Sequence, residues 1–553
     1  MGRLPHGKII TEDVLARAQR HAAPPGGRAE AVSAVAAGEG QPFDFLFPTL
    51  QEDPTNLLPQ SPETVKHLKA LAATMEDPDL PGADHDAPIP AAYTYFGQFV
   101  DHDITFEVQP GDLPPSASGD MAHLLAEDMA PLPPAEIRNA LRNFRTGTLD
   151  LDSLYGLPAP RDPANGAKMR LGQVVTLPPP QQKPFLRPPG KTDDNDLPRE
   201  PRSRDILHDR AALIGDPRND ENLIVGQLHL AFLKAHNRLV DEVGTFEQAR
   251  RVLRQHYQYL VLADFLPRVA DPGIVEQVRT SGNRWYDPDA GTLFMPLEFA
   301  VAAYRFGHTM VRAAYNFNLN FNLRPGGVPA SLELLFTFTA LSGQLGDFDT
   351  LPENWIIEWE NVVGADAGTS RARRLDTQLA AIGDKALFNL QTLDGQPEAG
   401  LAAMLSARNL LRGYRLRLPT GQAVAGHLGL PVLSPEQLRA AAANPQQEQA
   451  LQDGGFLERT PLWFYLLAEA AHGGGARLGP VGSTIVAEVL TGLIRRSEDS
   501  ILRTPGWAPS LPAAVPGHFE LADLLRFAGV LPDGAPSGVP GWSASRHDGE
   551  RRG

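Results

Sequence analysis

The stretch YFGQFVDHDITFE, residues 95–107, poses the question from which the rest of the chain can be read. On a helix, Gln98, Asp101, His102 and Thr105 stand at i, i+3, i+4 and i+7 and form one stripe. Phe96, Phe99, Val100, Ile104 and Phe106 occupy most of the remaining surface. A polar stripe on an otherwise apolar helix faces either water or a polar object inside the protein. Asp103 lies about 100° round the helix from His102 and points elsewhere.

The chain is able to enclose such an object. Its 553 residues, 42% of them hydrophobic, suffice for one very large domain or a few ordinary ones. Fifty-one prolines and fifty-one glycines predict many ordered loops and little sheet. A formal charge of -16 argues against nucleic-acid or anionic-membrane partners. The absence of cysteine excludes disulfides, zinc–thiolate sites, iron–sulfur clusters and cysteine nucleophiles, and suits a reducing cytosol and an oxidising exterior equally. The opening MGRLPHGKIITEDVLARAQR lacks the apolar core of a standard signal peptide. The most apolar stretch, PVGSTIVAEVLTGLI (480–494), carries Glu488 and reads as a buried helix, so no membrane span is expected.

The pattern predicts a mainly α protein: an N-terminal arm over 1–42, one large helical domain over 43–495, and a Pro/Gly-rich extension over 496–553 with one short helix, FELADLLRFAGV. SPETVKHLKALAATM sets a helix over 62–75, with a cap-like serine and a proline at its first position. Helical spacing recurs from 219 through FEQARRVLRQHYQYLVLADFL and over 331–341, 399–411, 435–444, 461–471 and 481–496. YNFNLNFNL (315–323) alternates as a short strand does, while 108–134 and 157–205 read as long loops.

Three further stretches share the character of the first. In RTGTLDLDSLYG (145–156), Thr146, Thr148, Asp150 and Asp152 alternate, so an extended loop turns their oxygens the same way, as a hard cation such as Ca²⁺ requires. The same spacing suits a solvated acidic turn. In GDPRNDEN (215–222) a helix begins at about Asn219, whose side chain can cap it, with Arg218 just before and Glu221 in the first turn; an ordinary helix start has the same look. In AYRFGHTMVR (303–312), His308 sits among Phe306, Met310 and Val311, as a core histidine or a metal ligand would. His229 and His236 are open to the same two readings.

The order of these motifs says more than any one of them. FGQFVDHDITF, TLDLDSLYG, GDPRNDE…LHLAFLKAHNRL, YRFGH and RNLLRG together resemble the animal-type haem peroxidases, the superfamily of myeloperoxidase, lactoperoxidase and peroxidasin, from about residue 43 to 495. The resemblance implies a single large helical haem-peroxidase domain holding haem b, with His308 as proximal iron ligand and Asn409 as the acceptor for its other ring nitrogen. Arg305 and Arg412 would pair with the haem propionates. On the opposite face His102 would be the acid–base group, Arg218 would stabilise the leaving oxygen, and Gln98 would stand beside the bound halide or water. Asp101 and Glu221 match carboxylates that form ester links to haem in several members. Asp103, Thr146, Thr148, Asp150 and Asp152 would bind Ca²⁺. The implied activity reduces hydrogen peroxide and oxidises a small donor, halide or thiocyanate or phenolic, through a ferryl intermediate.

The chain also departs from the family. A methionine that forms a sulfonium link in some members is Asn222 here, so that link cannot form; the last calcium ligand, often serine, is Asp152; and the mammalian disulfides and the usual secretion signal of this mostly extracellular family are missing. Fatty-acid dioxygenases share the fold but place a radical-forming tyrosine three residues before the proximal histidine, a position held here by Arg305, with Tyr304 one residue too far. A non-catalytic, peroxinectin-like binding protein would not need the intact His102, Arg218 and His308. A non-haem His/Asp metallohydrolase would be colourless.

Overall fold

The computed structural model describes residues 41–533 except 78–84, 109–128, 144, 156–159, 179–184, 205–207, 288, 290–292, 365–367, 382–386 and 388–403. Nearly all of the arm expected over 1–42, most of the loop expected over 108–134, the start of the helix expected at 399 and the tail after 533 lie outside the described residues. What remains is mainly α, with strands of two to five residues.

The helices needed below are α1 (Pro62–Ala73), α2 (Ala92–Ile104), α3 (Leu223–Val243), α4 (Phe246–Tyr259), α5 (Leu405–Arg415), α6 (Leu462–His472), α7 (Pro480–Arg496) and α8 (Leu521–Phe527). Ser61 caps α1 as expected, its hydroxyl accepting from Thr64 N at 3.1 Å. The apolar surface of α2 explains its place. Phe96, Phe99, Val100 and Ile104 are fully buried. Phe99 stacks on Phe232 of α3 with centroids 4.6 Å apart and planes 12° apart, and both Phe96 and Phe99 meet Tyr257 of α4 edge-on at 6.2 Å. Such pairs each add roughly 0.5–1.5 kcal/mol beyond burial. α2 is thereby pinned into the α3–α4 pair. The stripe residues Gln98 and Asp101 are left half-buried on another side.

A small sheet ties the two ends of this region together. β1 (Gln41–Asp44) runs antiparallel to β3 (Arg142–Asn143) and parallel to β4 (Met295–Pro296), and β2 (Glu107–Val108) adds to β3. Asn143 finishes α2: its Nδ2 donates to Ile104 O at 2.8 Å and its Oδ1 accepts from Phe106 N at 2.7 Å. After β4 the chain forms a π-type segment (Glu298–Ala302), then a 3-10 turn (Ala303–His308) that ends on His308. π-type departures from α geometry occur frequently at functional sites. The strand expected at 315–323 shrinks to a two-residue pairing, Ala314–Tyr315 with Ala330–Ser331. Asn316, Asn318, Asn320 and Asn322 spend their side chains on loop hydrogen bonds instead.

Residues after 495 pack on the same core. Leu511, Phe519, Leu521, Leu524, Leu525 and Phe527 are buried, and Asp264 accepts from Leu521 N and Tyr93 Oη. His256 of α4 fastens this segment by donating from Nδ1 to Val252 O at 2.8 Å and accepting at Nε2 from Ser510 N and Leu511 N at 3.0 and 3.1 Å. Burial lowers its pKa to about 4. An unfolded histidine takes up a proton near 6.5, so this contribution is complete above that pH and is lost as pH falls towards 4, about 3 kcal/mol in all. Acidification to pH 4.5 should therefore expose the Ser510 and Leu511 amides to hydrogen exchange well before the α2–α3 core. Equal protection in both regions would contradict this role for His256. Among the described residues, no helix is long and apolar enough to cross a membrane.

Candidate functional site

The end of α2 is held by a lattice of buried charges. Arg218 lies in a 3-10 turn (Pro217–Asp220) immediately before α3. Its Nη2 donates to the carbonyls of His102 and Thr105 at 3.1 and 2.6 Å, and its Nε to Asp216 Oδ1 at 3.1 Å. Asp216 also pairs with Arg145, whose Nε donates to the same His102 carbonyl at 3.0 Å. Burial works against the Asp216 carboxylate, but Arg218 and then Arg145 hold it far below the usual range. Both guanidinium groups lie over the Phe106 ring, at 4.9 and 5.0 Å. His102 and Arg218 are thus fixed relative to one another through the helix terminus.

His102 is 3% exposed, and burial, reinforced by the nearby Arg218, lowers its pKa, so the ring is neutral at pH 7. Its Nδ1 lies 2.8 Å from Asn219 Oδ1. Asn219 therefore does not cap α3 as its position suggested. The cap is Asn222, whose Oδ1 accepts from Val225 N at 3.0 Å. The physical reason is the intervening 3-10 turn, which Asp216 caps and which delays α3 by three residues. Asn222 also reaches the stripe on α2. Its Nδ2 donates to Gln98 Oε1 at 2.9 Å, while Gln98 Nε2 donates to Glu221. Asp101 accepts from Thr105 Oγ1 at 3.1 Å.

The expected calcium residues converge from two parts of the chain. Asp103, fully buried, accepts from Leu151 N at 3.3 Å and Ser153 N at 3.2 Å. Asp152 accepts from Thr146 N and Thr146 Oγ1 at 2.8 and 2.7 Å, Thr146 and Thr148 hydroxyls are 2.7 Å apart, and Thr148 donates to Asp150. Leu151 adopts φ 58°, the left-handed region that a branched side chain rarely occupies. Burial, then the charge of Asp152, raises Asp103 well above the usual carboxylate range, and among the described residues Asp150 Oδ1 is buried without a hydrogen-bond partner. Among the described residues no group of three or more His, Asp or Glu side chains is placed so as to hold a metal ion. A crowded set of hard oxygens with one left unsatisfied is nevertheless the donor chemistry that suits a divalent cation.

His308, 8% exposed, has its Nδ1 2.9 Å from the Asn409 amide on α5. Iron on Nε2 requires the ring proton on Nδ1, and the amide turned over about its Cβ–Cγ bond accepts that proton at the same distance. Arg305 donates from Nε to Ala300 O at 2.9 Å, and its own carbonyl accepts from Trp463 Nε1 of α6. Burial lowers Arg412 to about 10, with Asp101 as the opposing charge, so a nearby anion such as a propionate would be welcome there. This donor set suits haem. Asn409→Leu, which leaves His308 Nδ1 unsupported, should cost about 10–100-fold in haem affinity or peroxide turnover; haem titration followed by Soret absorbance measures it, and wild-type behaviour would count against the pairing.

The model of the animal haem peroxidase family matches residues 134–338, a span that contains Thr146–Asp152, Arg218, Glu221 and His308. Over this span the chain is similar to the animal haem peroxidases. Relatives include a peroxidase-like protein of Margaritifera margaritifera, 30% identical over 44% of this chain and 33% of its own length, and thyroid peroxidase of Canis lupus familiaris, 25% identical over 72% and 46%. The chain spans between a third and a half of the length of these relatives. Among solved structures, peroxidase A of Dictyostelium discoideum shares the fold, with a TM-score of 0.50 and 16% identity over 84% of this chain and 89% of that one. Haem is the cofactor to which this similarity points.

Arg145 and Asp216 belong to the site although their types and spacing did not single them out for it, while Asn219 was read there only as a helix cap and His229 as a core histidine or a metal ligand. Asp216, two residues before Arg218, carried a usable signal, since a carboxylate that close can reach back to the guanidinium. Arg145 carried none, because its partners lie 43 and 71 positions away.

Proposed function

We propose that this chain is a haem-dependent peroxidase that reduces hydrogen peroxide and oxidises a small donor, an anion such as halide or thiocyanate, or a phenol. The observation that carries this reading is a buried, neutral His102 whose ring meets Asn219 and whose backbone carbonyl is held by Arg218, together with Asn409 on His308. His308 would ligate haem b; Arg305 and Arg412 would pair with its propionates, and Asp101 and Glu221 offer carboxylates for ester links to its periphery. Bound haem would supply the iron that takes up peroxide and stores its oxidising equivalents.

The protein's part is proton handling and electrostatics. Peroxide cleavage needs a base to remove a proton from one oxygen and return it to the departing one. Neutral His102 can do both. Arg218, which burial penalises but Asp216 keeps charged, offers a fixed cation where negative charge builds on the departing oxygen. Its ties to Asp216 and two carbonyls remove the cost of orienting it during the reaction. Gln98, held by Glu221 and Asn222, can orient a water or donor anion beside His102. The test is an absorption spectrum of protein expressed with hemin, before and after peroxide: a Soret band that shifts within the mixing time supports the reading, and a colourless product refutes it.

Ca²⁺ would sit among Asp103, Thr146, Thr148, Asp150 and Asp152, cancelling the repulsion between Asp103 and Asp152 and fixing the end of α2. Added Ca²⁺ at 100 times its dissociation constant should stabilise the fold by about 2.7 kcal/mol. A Tm that rises with Ca²⁺ in wild type but not in Asp103→Asn is the expected result; indifference of both to Ca²⁺ would remove the metal from this loop.

A further inference from the structure

His102 belongs to a hydrogen-bonded line of three residues. His229 Nδ1 lies 2.9 Å from Asn219 Nδ2, and Asn219 Oδ1 lies 2.8 Å from His102 Nδ1. All three are buried, His229 and Asn219 completely. A carboxamide donates at one end and accepts at the other. With both contacts formed, one imidazole must therefore present a bare Nδ1 and its counterpart an Nδ1–H. As the amide stands, its NH₂ faces His229 and its oxygen faces His102. A neutral ring carries a single proton, so His102 is protonated at Nδ1 and bare at Nε2, while His229 is bare at Nδ1 and protonated at Nε2. The reversed amide would give His102 an Nε2–H, which can donate a proton but not accept one.

We infer that His229 is a positioning residue: through Asn219 it holds His102 in the tautomer whose Nε2 accepts the peroxide proton. The inference rests on the reading of His102 as that acceptor. His229 suits this role because, among the described residues, no polar group competes for its other nitrogen. Nε2 is buried without a hydrogen-bond partner, and the Phe99 ring lies edge-on at 5.9 Å. Asn219 thus has sole hold of the ring. Burial also lowers the His229 pKa to about 3, which excludes the doubly protonated form that would force the amide over. The Asn219 backbone is itself held: its N donates to Asp216 O at 3.0 Å, and a Cβ on Gly226 of α3 would stand 3.3 Å from its carbonyl, so helix and turn are in close contact.

Neutron diffraction from crystals of the haem-loaded protein reads the proton positions directly. Deuterium on His102 Nδ1 and His229 Nε2, with none on His229 Nδ1, is expected; deuterium on His229 Nδ1 overturns the inference. Kinetics provides an independent check. His229→Leu removes the acceptor and should slow the peroxide-induced Soret change on the order of tenfold or more. His229→Asn, whose Oδ1 can stand in for Nδ1, should recover most of that rate at equal haem content. An unslowed His229→Leu, or equal slowing in both variants, reduces His229 to packing and also overturns the inference. His102→Ala separates the two levels: if it too reacts at the wild-type rate, the acceptor role of His102 is wrong, whereas a slow His102→Ala beside a normal His229→Leu refutes only the part given to His229. If a variant fails to take up haem, the neutron map decides alone.

Discussion

His308→Ala is expected to yield folded protein that has lost its haem or holds it loosely, even when cells are well supplied with hemin. The substitution removes the only side chain assigned to the iron and leaves Asn409 facing a cavity on α5. Arg305 and Arg412 would still attract the propionates, but guanidinium pairing without an iron bond is weak and exchangeable. The expected readout is a fall of the Soret-to-protein absorbance ratio towards zero after gel filtration. Recovery of a bound, low-affinity pigment on adding imidazole would show that the missing ring nitrogen is responsible. A variant that keeps a full Soret band would place the iron ligand elsewhere.

His102→Ala should behave in the opposite way, keeping its pigment and losing its reaction. Nothing assigned to haem binding is removed. The group proposed as proton acceptor is, and a lost general base costs roughly 10²–10⁴-fold. Arg218 stays, since it is anchored on backbone carbonyls and Asp216 rather than on the imidazole, so part of the electrostatic assistance survives. Stopped-flow absorbance at rising peroxide concentrations should give a second-order rate reduced by at least the lower of those factors. An unchanged rate would remove His102 from the chemistry.

The two variants divide the site as the chain divides it. His102 and His308 lie 206 positions apart, on α2 and on the 3-10 turn after β4, and each is held by an asparagine from yet another segment. That division shows which parts of the site were open to reading. Gln98, Asp101 and His102 formed a visible stripe because helical periodicity converts spacing into facing. Asp103 was visibly off that stripe for the same reason, and its side chain does turn to the 146–152 loop. The strand expected over 315–323 failed because alternation of asparagine with apolar residues is equally compatible with a loop stitched by side-chain hydrogen bonds.

Composition and periodicity determined by themselves that this is a mainly α chain, and the order of its motifs resembles that of the haem peroxidases, because local spacing and residue chemistry are written in consecutive positions. Only the tertiary structure decided how the polar side chains pair. Asn219 at the head of a helix reads as a cap until His102, 117 residues earlier, and His229, 10 residues later, are brought to either end of its amide. Asn222 reads as a lost methionine until it is seen capping α3 and holding Gln98. A hydrogen bond acts over about 3 Å, and which groups come that close depends on the path of the chain through space rather than on their order along it.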